Sequence, residues 1–224
     1  MGRLTLKLAS KVDHITGIDP SPQRIEVTHR KLTRMNLGNI TFELGSRDDI
    51  CRYGEDVFDV VYLNAVFHWI NDKEKALENI YQVLKPGGKL GICTADKDHP
   101  FTAKIIATEV LRKAGIIDED INPSIPVNTV ELDSLLRKSG FRVIEIKLKR
   151  DLRYFETPAK YLEYVELSSF GNFMGNIPLS VCEKVKSGII AELNKYQTPK
   201  GIESVYYDLF ALVEKSLDNS NKKS

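Results

Sequence analysis

The residues of this chain that could do chemistry sit where apolar runs give way to polar ones. Asp19 ends the run His14-Ile-Thr-Gly-Ile18 and precedes Pro20. A carboxylate there can accept from both hydroxyls of a ribose diol. It can equally cap the helix that Pro20-Ser-Pro22 begins, and spacing alone does not separate the two roles. Gly45-Ser-Arg-Asp-Asp-Ile50 is a polar loop whose Ser46, Asp48 and Asp49 offer acceptors and whose Arg47 offers a backbone amide; its alternative is a solvated turn. Asn64 closes the run Phe58-Asp-Val-Val-Tyr-Leu63, and His68 and Trp69 follow. An imidazole titrates near neutrality and suits general acid–base work, or orients a neighbour instead. Trp69, the 1 tryptophan, offers a large flat face to a pocket wall or to the core. The 3 cysteines, Cys51, Cys93 and Cys182, lack CxxC spacing. They read as reduced thiols, with a thiolate site for a soft substrate such as arsenite as the alternative. No metal-ligand set is expected.

The elements that must position these residues alternate. Arg3 to Lys11 reads as a helix, His14–Ile18 as a strand and Pro22 to about Met35 as a helix stopped near Asn36 and Gly38. Ile40–Leu44 is a strand, and Val57–Leu63 is apolar enough for a strand buried on both faces of a parallel sheet. Asp72 caps a helix carrying Ala76, Leu77, Ile80, Val83 and Leu84. Pro86-Gly-Gly88 turns the chain before a strand over Lys89–Thr94. Helices are expected over Phe101–Lys113, over Thr129–Lys138 with Thr129 as cap and Gly140 as stop, and over Pro158–Leu167 and Leu179–Lys195. Arg142–Lys149 alternates as an antiparallel strand, and Ser204–Val213 is the last strand, with a helix as its competitor. In a parallel α/β sheet, ligands sit outside the carboxyl ends of the strands. The stretches to inspect are therefore Asp19, Gly45–Asp49, Asn64–Trp69 and Thr94–His99.

Bulk properties narrow the partners. The 224 residues are 42% hydrophobic and 28% charged, as a globular chain should be, and the net charge is +1. No strong field recruits nucleic acid or anionic lipid, so neither is an expected partner. No apolar run is long enough to span a bilayer and no secretory signal is visible, which points to a cytoplasmic protein.

The run Phe58–Ile70 followed by Leu84-Lys-Pro-Gly-Gly-Lys-Leu90, with Asp19 upstream, resembles the middle of a class I S-adenosylmethionine (SAM)-dependent methyltransferase, especially the trans-aconitate methyltransferase branch. The resemblance implies a Rossmann-like, mostly parallel α/β sheet, with SAM as cofactor and a small-molecule acceptor, such as a carboxylate, as substrate. It implies cofactor contacts from Gly2, Asp19, Ser46, Arg47, Asp48 and Asn64. Ser46 stands where the family usually has an aspartate that accepts from the adenine amino group. It makes His68 the candidate catalytic base, and Trp69, Tyr161 and Phe170 the candidate substrate contacts. Residues 156–200 correspond to a helical cap whose aromatics (Tyr164, Phe173 and Met174 among them) line the pocket and whose Gly171 and Gly175 act as hinges; residues 1–155 and 201–216 form the SAM-binding core, and 217–224 a disordered tail. Arg142, Arg150 and Arg153 are available to a carboxylate.

The same resemblance implies that the family's first strand and most of its GxGxG loop are missing, Gly2 fitting the last glycine. Pairing lost from the middle of a sheet exceeds a domain's whole margin of roughly 5–15 kcal/mol. An upstream segment of a longer protein, a partner chain in a homo-oligomer, or direct closure of the flanking strands would answer this. A non-catalytic, degenerate methyltransferase domain is the rival reading.

Overall fold

The computed structural model describes residues 3–35, 37–116, 124–167, 177 and 179–217. The chain forms two compact units, Met1–Glu55 and Asp56–Ser224.

In the first unit, helix α1 (Arg3–Leu8) runs into a single 3-10 turn at Ala9–Lys11. Strand β1 (Ile15–Asp19) pairs in parallel with β2 (Ile40–Leu44), joined by α2 (Pro22–Met35). The parallel pair needs a crossover, and α2 supplies it, burying Ile25 and Thr28 against the strands. Its start is sharp because Pro22 fits a first turn and Ser21 Oγ accepts from the Arg24 amide at 3.3 Å. A 3-10 stretch over Arg47–Tyr53 follows β2.

The second unit is built on a five-stranded sheet in the order β3-β4-β7-β5, with the short β6 (Gln197–Thr198) paired to β7. Strand β3 (Phe58–Asn64) leads through a 3-10 turn at Phe67–Trp69 to α3 (Lys73–Val83) and then β4 (Leu84–Ala95). Asp72 caps α3 as expected, accepting from the Lys75 amide at 2.9 Å. The Pro-Gly-Gly turn takes a different form from the one expected. The chain enters the ladder already at Leu84, opposite Phe58, and resumes at Lys89, opposite Val60. Between them Lys85–Gly88 bulges, and Gly87 supplies the left-handed backbone with φ 75°.

Helix α4 (Thr102–Lys113) follows β4, then α5 (Thr129–Lys138) and β5 (Phe141–Phe155). The α5 cap is Asn128 rather than Thr129. Asn128 accepts from the Glu131 amide at 2.9 Å, and Glu131 reaches back to the Asn128 amide at 3.0 Å, a reciprocal capping box that places Thr129 one residue inside. Helices α6 (Pro158–Leu167) and α7 (Leu179–Asn194) precede β7 (Gly201–Lys215). The strand reading of the last element holds, and its competitor helix does not form.

Strands β3 and β4 pair in parallel; β7, inserted between β4 and β5, is antiparallel to both. The sheet is therefore more mixed than a purely doubly wound one, because β7 takes part in each of its three antiparallel pairings, with β4, β5 and β6. One hydrophobic cluster unites α4, α6, α7 and β7 through fully buried Leu111, Tyr161, Ile189, Leu193 and Ile202. Leu77, Leu84, Leu90, Leu132 and Leu136 are buried alongside β4, α3 and α5. At roughly 1.5–3 kcal/mol per buried side chain, these residues supply the main driving force for the unit.

Candidate functional site

Each unit brings its own candidate residues to the carboxyl ends of a parallel strand pair, the rim where α/β folds bind ligands. In the first unit the Gly45 amide donates to the Asp19 carbonyl at 3.2 Å, so the ends of β1 and β2 and their loops lie side by side. Asp19 Oδ1 accepts from the Ser21 amide at 2.9 Å, and Oδ2 lies 3.7 Å from Arg24. The carboxylate thus anchors the start of α2 while staying 30% exposed, with acceptor capacity left over. The capping and ligand roles that spacing left open are compatible in this geometry. Ser46 is turned into its own loop: its amide and hydroxyl both donate to Asp49 Oδ2, at 2.6 and 3.0 Å. Those two bonds hold the Asp49 carboxyl below its ordinary range. Arg47 and Asp48 lie on the same 3-10 stretch. Gly2 and Phe170 lie outside the described residues.

In the second unit Asn64 is the exposed last residue of β3, and Tyr62 Oη donates to its side chain at 3.4 Å. Ala65 then takes a left-handed backbone, φ 55°, while its amide donates to the Cys93 carbonyl at 2.8 Å. A non-glycine residue in that conformation is strained, and such strain clusters at binding rims. His68 is 1% exposed. Its Nδ1 lies 3.0 Å from Thr94 Oγ1, and its carbonyl accepts from the Ile125 amide at 2.7 Å. It therefore staples the loop after β3 to the end of β4 and to the segment before α5. Trp69 is half-buried, its ring 5.1 Å from that of His68.

Tyr161 lies in the core, not on a ligand-facing wall. It is fully buried, stacks on Phe155 at 4.2 Å, accepts from the Ala103 amide at 3.1 Å and shares a hydrogen bond with Ser204. An aromatic at helical spacing fits a core as well as a pocket, and here the α4–α6–β7 cluster takes it. Arg142 pairs with Glu214; Arg153 bonds Asp151 and Tyr164 and lies over the Tyr206 ring at 4.6 Å.

Sequence reasoning named the stretch Thr94–His99 for inspection but did not single out the pair that stands in it. Asp96 Oδ2 lies 2.6 Å from His99 Nδ1 and also accepts from the Asp98 amide at 3.1 Å. The Asp96 side chain is 2% exposed, and that of His99 is 45% exposed. The imidazole stacks on Tyr207 of β7 at 4.4 Å. Both residues line a shallow open depression, together with Phe101, Lys104, Tyr206 and Asp208. Burial pushes the Asp208 carboxyl above its ordinary range. The available signal was an aspartate and a histidine three apart just past a strand end. No group of three or more metal-ligating side chains occurs among the described residues.

Comparison with known proteins places this geometry. Residues 1–92 match the family model described as "Methyltransferase domain". Over 96% of its length the chain superposes on the YcgJ protein of Bacillus subtilis with a TM-score of 0.64, at 14% identity and covering 88% of that protein. The chain has the class I methyltransferase fold. The same fold is seen in a Haemonchus contortus N-methyltransferase in complex with S-adenosylhomocysteine, at a TM-score of 0.56 and 19% identity over 95% of this chain and 46% of that one. In sequence, the chain is 30% identical over 197 residues to the O-methyltransferase cnsE of Penicillium expansum. That match takes in 87% of this chain and 65% of the relative, so the chain spans somewhat under two thirds of that relative's length.

Proposed function

We propose that this chain is a SAM-dependent methyltransferase acting on a small molecule. The observation that carries the reading is the class I methyltransferase fold with Asp19 and the Ser46 loop brought side by side at one strand rim. In the first unit, Asp19 would receive the ribose hydroxyls of SAM and the loop over Ser46, Arg47 and Asp48 its adenine; Asn64, in the second unit, belongs to the proposal through the family resemblance alone. Gly2 belongs to the same proposal through the family resemblance. When bound, SAM supplies a sulfonium methyl group, already electrophilic, so alignment and exclusion of water are what remain for the protein.

His68, deeply buried and bonded to Thr94, suits a positioning role; Trp69, half-buried beside it, suits a pocket wall. The helical segment over residues 156–200 would serve as the cap. Of the three arginines available to a carboxylate acceptor, Arg142 pairs with Glu214 and Arg153 with Asp151, while Arg150 has no ion pair among the described residues. No helix among the described residues is long and apolar enough to cross a membrane.

Calorimetry of the purified chain with SAM and with S-adenosylhomocysteine tests the reading. Saturable binding of both at micromolar concentrations is expected. Absence of heat with either at millimolar concentration overturns it and leaves a non-catalytic domain.

A further inference from the structure

We propose that the outer edge of β5 is a docking surface for a second copy of this chain, the two β5 strands pairing antiparallel about a two-fold axis through Lys149. The inference goes beyond the methyltransferase reading and uses residues of the second unit alone.

β5 ends the sheet order β3-β4-β7-β5, so one of its edges is bonded to β7 and the other meets no strand among the described residues. The strand is 15 residues long, and its register with β7 is unbroken from Glu145 to Phe155. A long regular edge strand presents a row of backbone donors and acceptors, a template for another strand. Its apolar side chains stand partly open as well: Leu148 is 37% exposed, Leu152 38% and Tyr154 46%.

Charge selects the occupant and the register. Glu145, Lys147, Lys149, Asp151 and Arg153 share one face of β5, at every second position. Glu145 pairs with Lys147 at 3.1 Å, and Asp151 with Arg153 at 3.0 Å. In an antiparallel pair, residues pointing at the partner strand must meet residues that point back. For two copies of one strand, the axis therefore passes through a residue and not between two. With the axis at Lys149, Lys147 of each copy stands opposite Asp151 of the other, and Glu145 opposite Arg153. Each internal ion pair thereby gains a second one across the strands, while Ile146 meets Leu152 on the other face. An axis at Leu148 sets Lys147 against Lys149 and Glu145 against Asp151. An axis at Arg150 sets Lys147 against Arg153. The like charges left in the favoured register are the two Lys149 ammoniums, and each stands beside Asp208 of its own β7. The stretch Glu145–Arg153 then aligns with itself, exchanging about one backbone hydrogen bond per residue. The irregularity between Val143 and Glu145 bounds the pairing at both ends by symmetry. Lysines on an edge also serve to keep strands apart. A solvated edge does not require a carboxylate at the place that faces Lys147 in a second copy.

The test uses the whole chain. Sedimentation equilibrium between about 1 and 100 µM, a range that registers modest affinities, is expected to show a reversible dimer. A monomer at every concentration overturns the proposal. Lys147→Glu places like charges at both symmetry-related positions and should weaken the dimer at least about 10-fold, as should Asp151→Lys. The double variant restores opposite charges across the axis and should recover the dimer to within about threefold of the unaltered chain. A dimer indifferent to either single change, or a double variant as weak as the singles, overturns the proposal. Melting temperatures report whether the variants fold, and covalent capture gives a readout that does not depend on them. In a Cys51→Ser chain, which lacks the exposed thiol, Lys149→Cys sets two thiols on the axis with Cβ atoms about 5 Å apart. A short bis-maleimide should join these chains and leave Lys85→Cys, on the β4 bulge, unjoined. Equal capture of the two, or no capture at Lys149→Cys, overturns the proposal. Each of these outcomes is independent of SAM binding, so failure here leaves the methyltransferase reading standing.

Discussion

The ammonium of Lys215, at the end of β7, meets the carboxylate of Asp56, just before β3, at 2.7 Å. It also donates to the Leu84 carbonyl at 2.6 Å, and lies over the Tyr81 ring at 5.0 Å. Its side chain is 6% exposed, so this charge has been taken out of water and is matched by partners on three elements. Removing one partner leaves the other uncompensated. Asp56→Asn, which keeps a residue tolerant of the φ of 56° found there, should destabilise the chain by about 1–3 kcal/mol. Lys215→Met, which removes the buried charge outright, should cost less than that. Urea unfolding of both variants checks the order; a costlier Lys215→Met would mean that the ammonium's own contacts, not its compensation, dominate.

Asp19→Asn separates the two duties of Asp19. The amide oxygen can still accept from the Ser21 amide, so the melting temperature should shift by no more than a few degrees. The charge-assisted bonds to a ribose diol are lost, and at about 1.5–3 kcal/mol SAM affinity should fall about 10- to 100-fold. Calorimetric titration reads this, and a loss below about threefold would remove Asp19 from the cofactor site.

His68 and Thr94 should behave as a unit. Thr94→Val keeps the shape of a fully buried side chain and leaves the imidazole without its 3.0 Å partner. A cost of about 1–2 kcal/mol is expected, with His68→Leu costing a similar amount. The double variant should fall short of additivity by about 1 kcal/mol. Additive costs would show that His68 is held by its packing alone.

Cys93 should be the slowest of the three thiols to react. Burial first, and then the negative charge of Asp208, push its pKa from an ordinary 9.0 to about 11. At about pH 8 only about one molecule in a thousand carries the nucleophilic thiolate. Mass spectrometry after brief iodoacetamide treatment should find exposed Cys51 labelled first. The same shift sets a sign for stability. The folded chain holds this proton more tightly than the unfolded one, so the contribution is complete below pH 9 and is lost as the pH climbs through the window toward 11. Early labelling of Cys93 near neutrality would contradict the burial that drives the shift.

The elements with local punctuation were legible in the sequence. Pro22, Asp72, Pro158 and Gly140 set boundaries through φ preference or capping, and the structure places α2, α3, α6 and the end of α5 accordingly. Neighbouring cap candidates were not separable: Asn128 and Thr129 both make good caps, and only the reach of Glu131 decides between them. The Lys85–Gly88 bulge was hidden because a proline followed by two glycines signals a turn without saying which ladder it interrupts. Tyr161 was ambiguous because a helical aromatic stripe fits core and pocket alike. The Asp96–His99 pair is only three residues apart, yet nothing local marks it as fixed, since the ring that supports it belongs to Tyr207, 108 residues further on.

That support comes from a strand made after both of its neighbours and placed between them. β7 joins Lys89 of β4 to Glu214 and Phe141 of β5 to Lys215. During synthesis on the ribosome, β4 and β5 must wait for it with their inner edges open. The larger unit is therefore expected to close late and slowly, in keeping with the high contact order of such pairings. A nascent chain stalled before Gly201 would present two unpaired strand edges and no floor beneath His99, which makes it a natural client for chaperones.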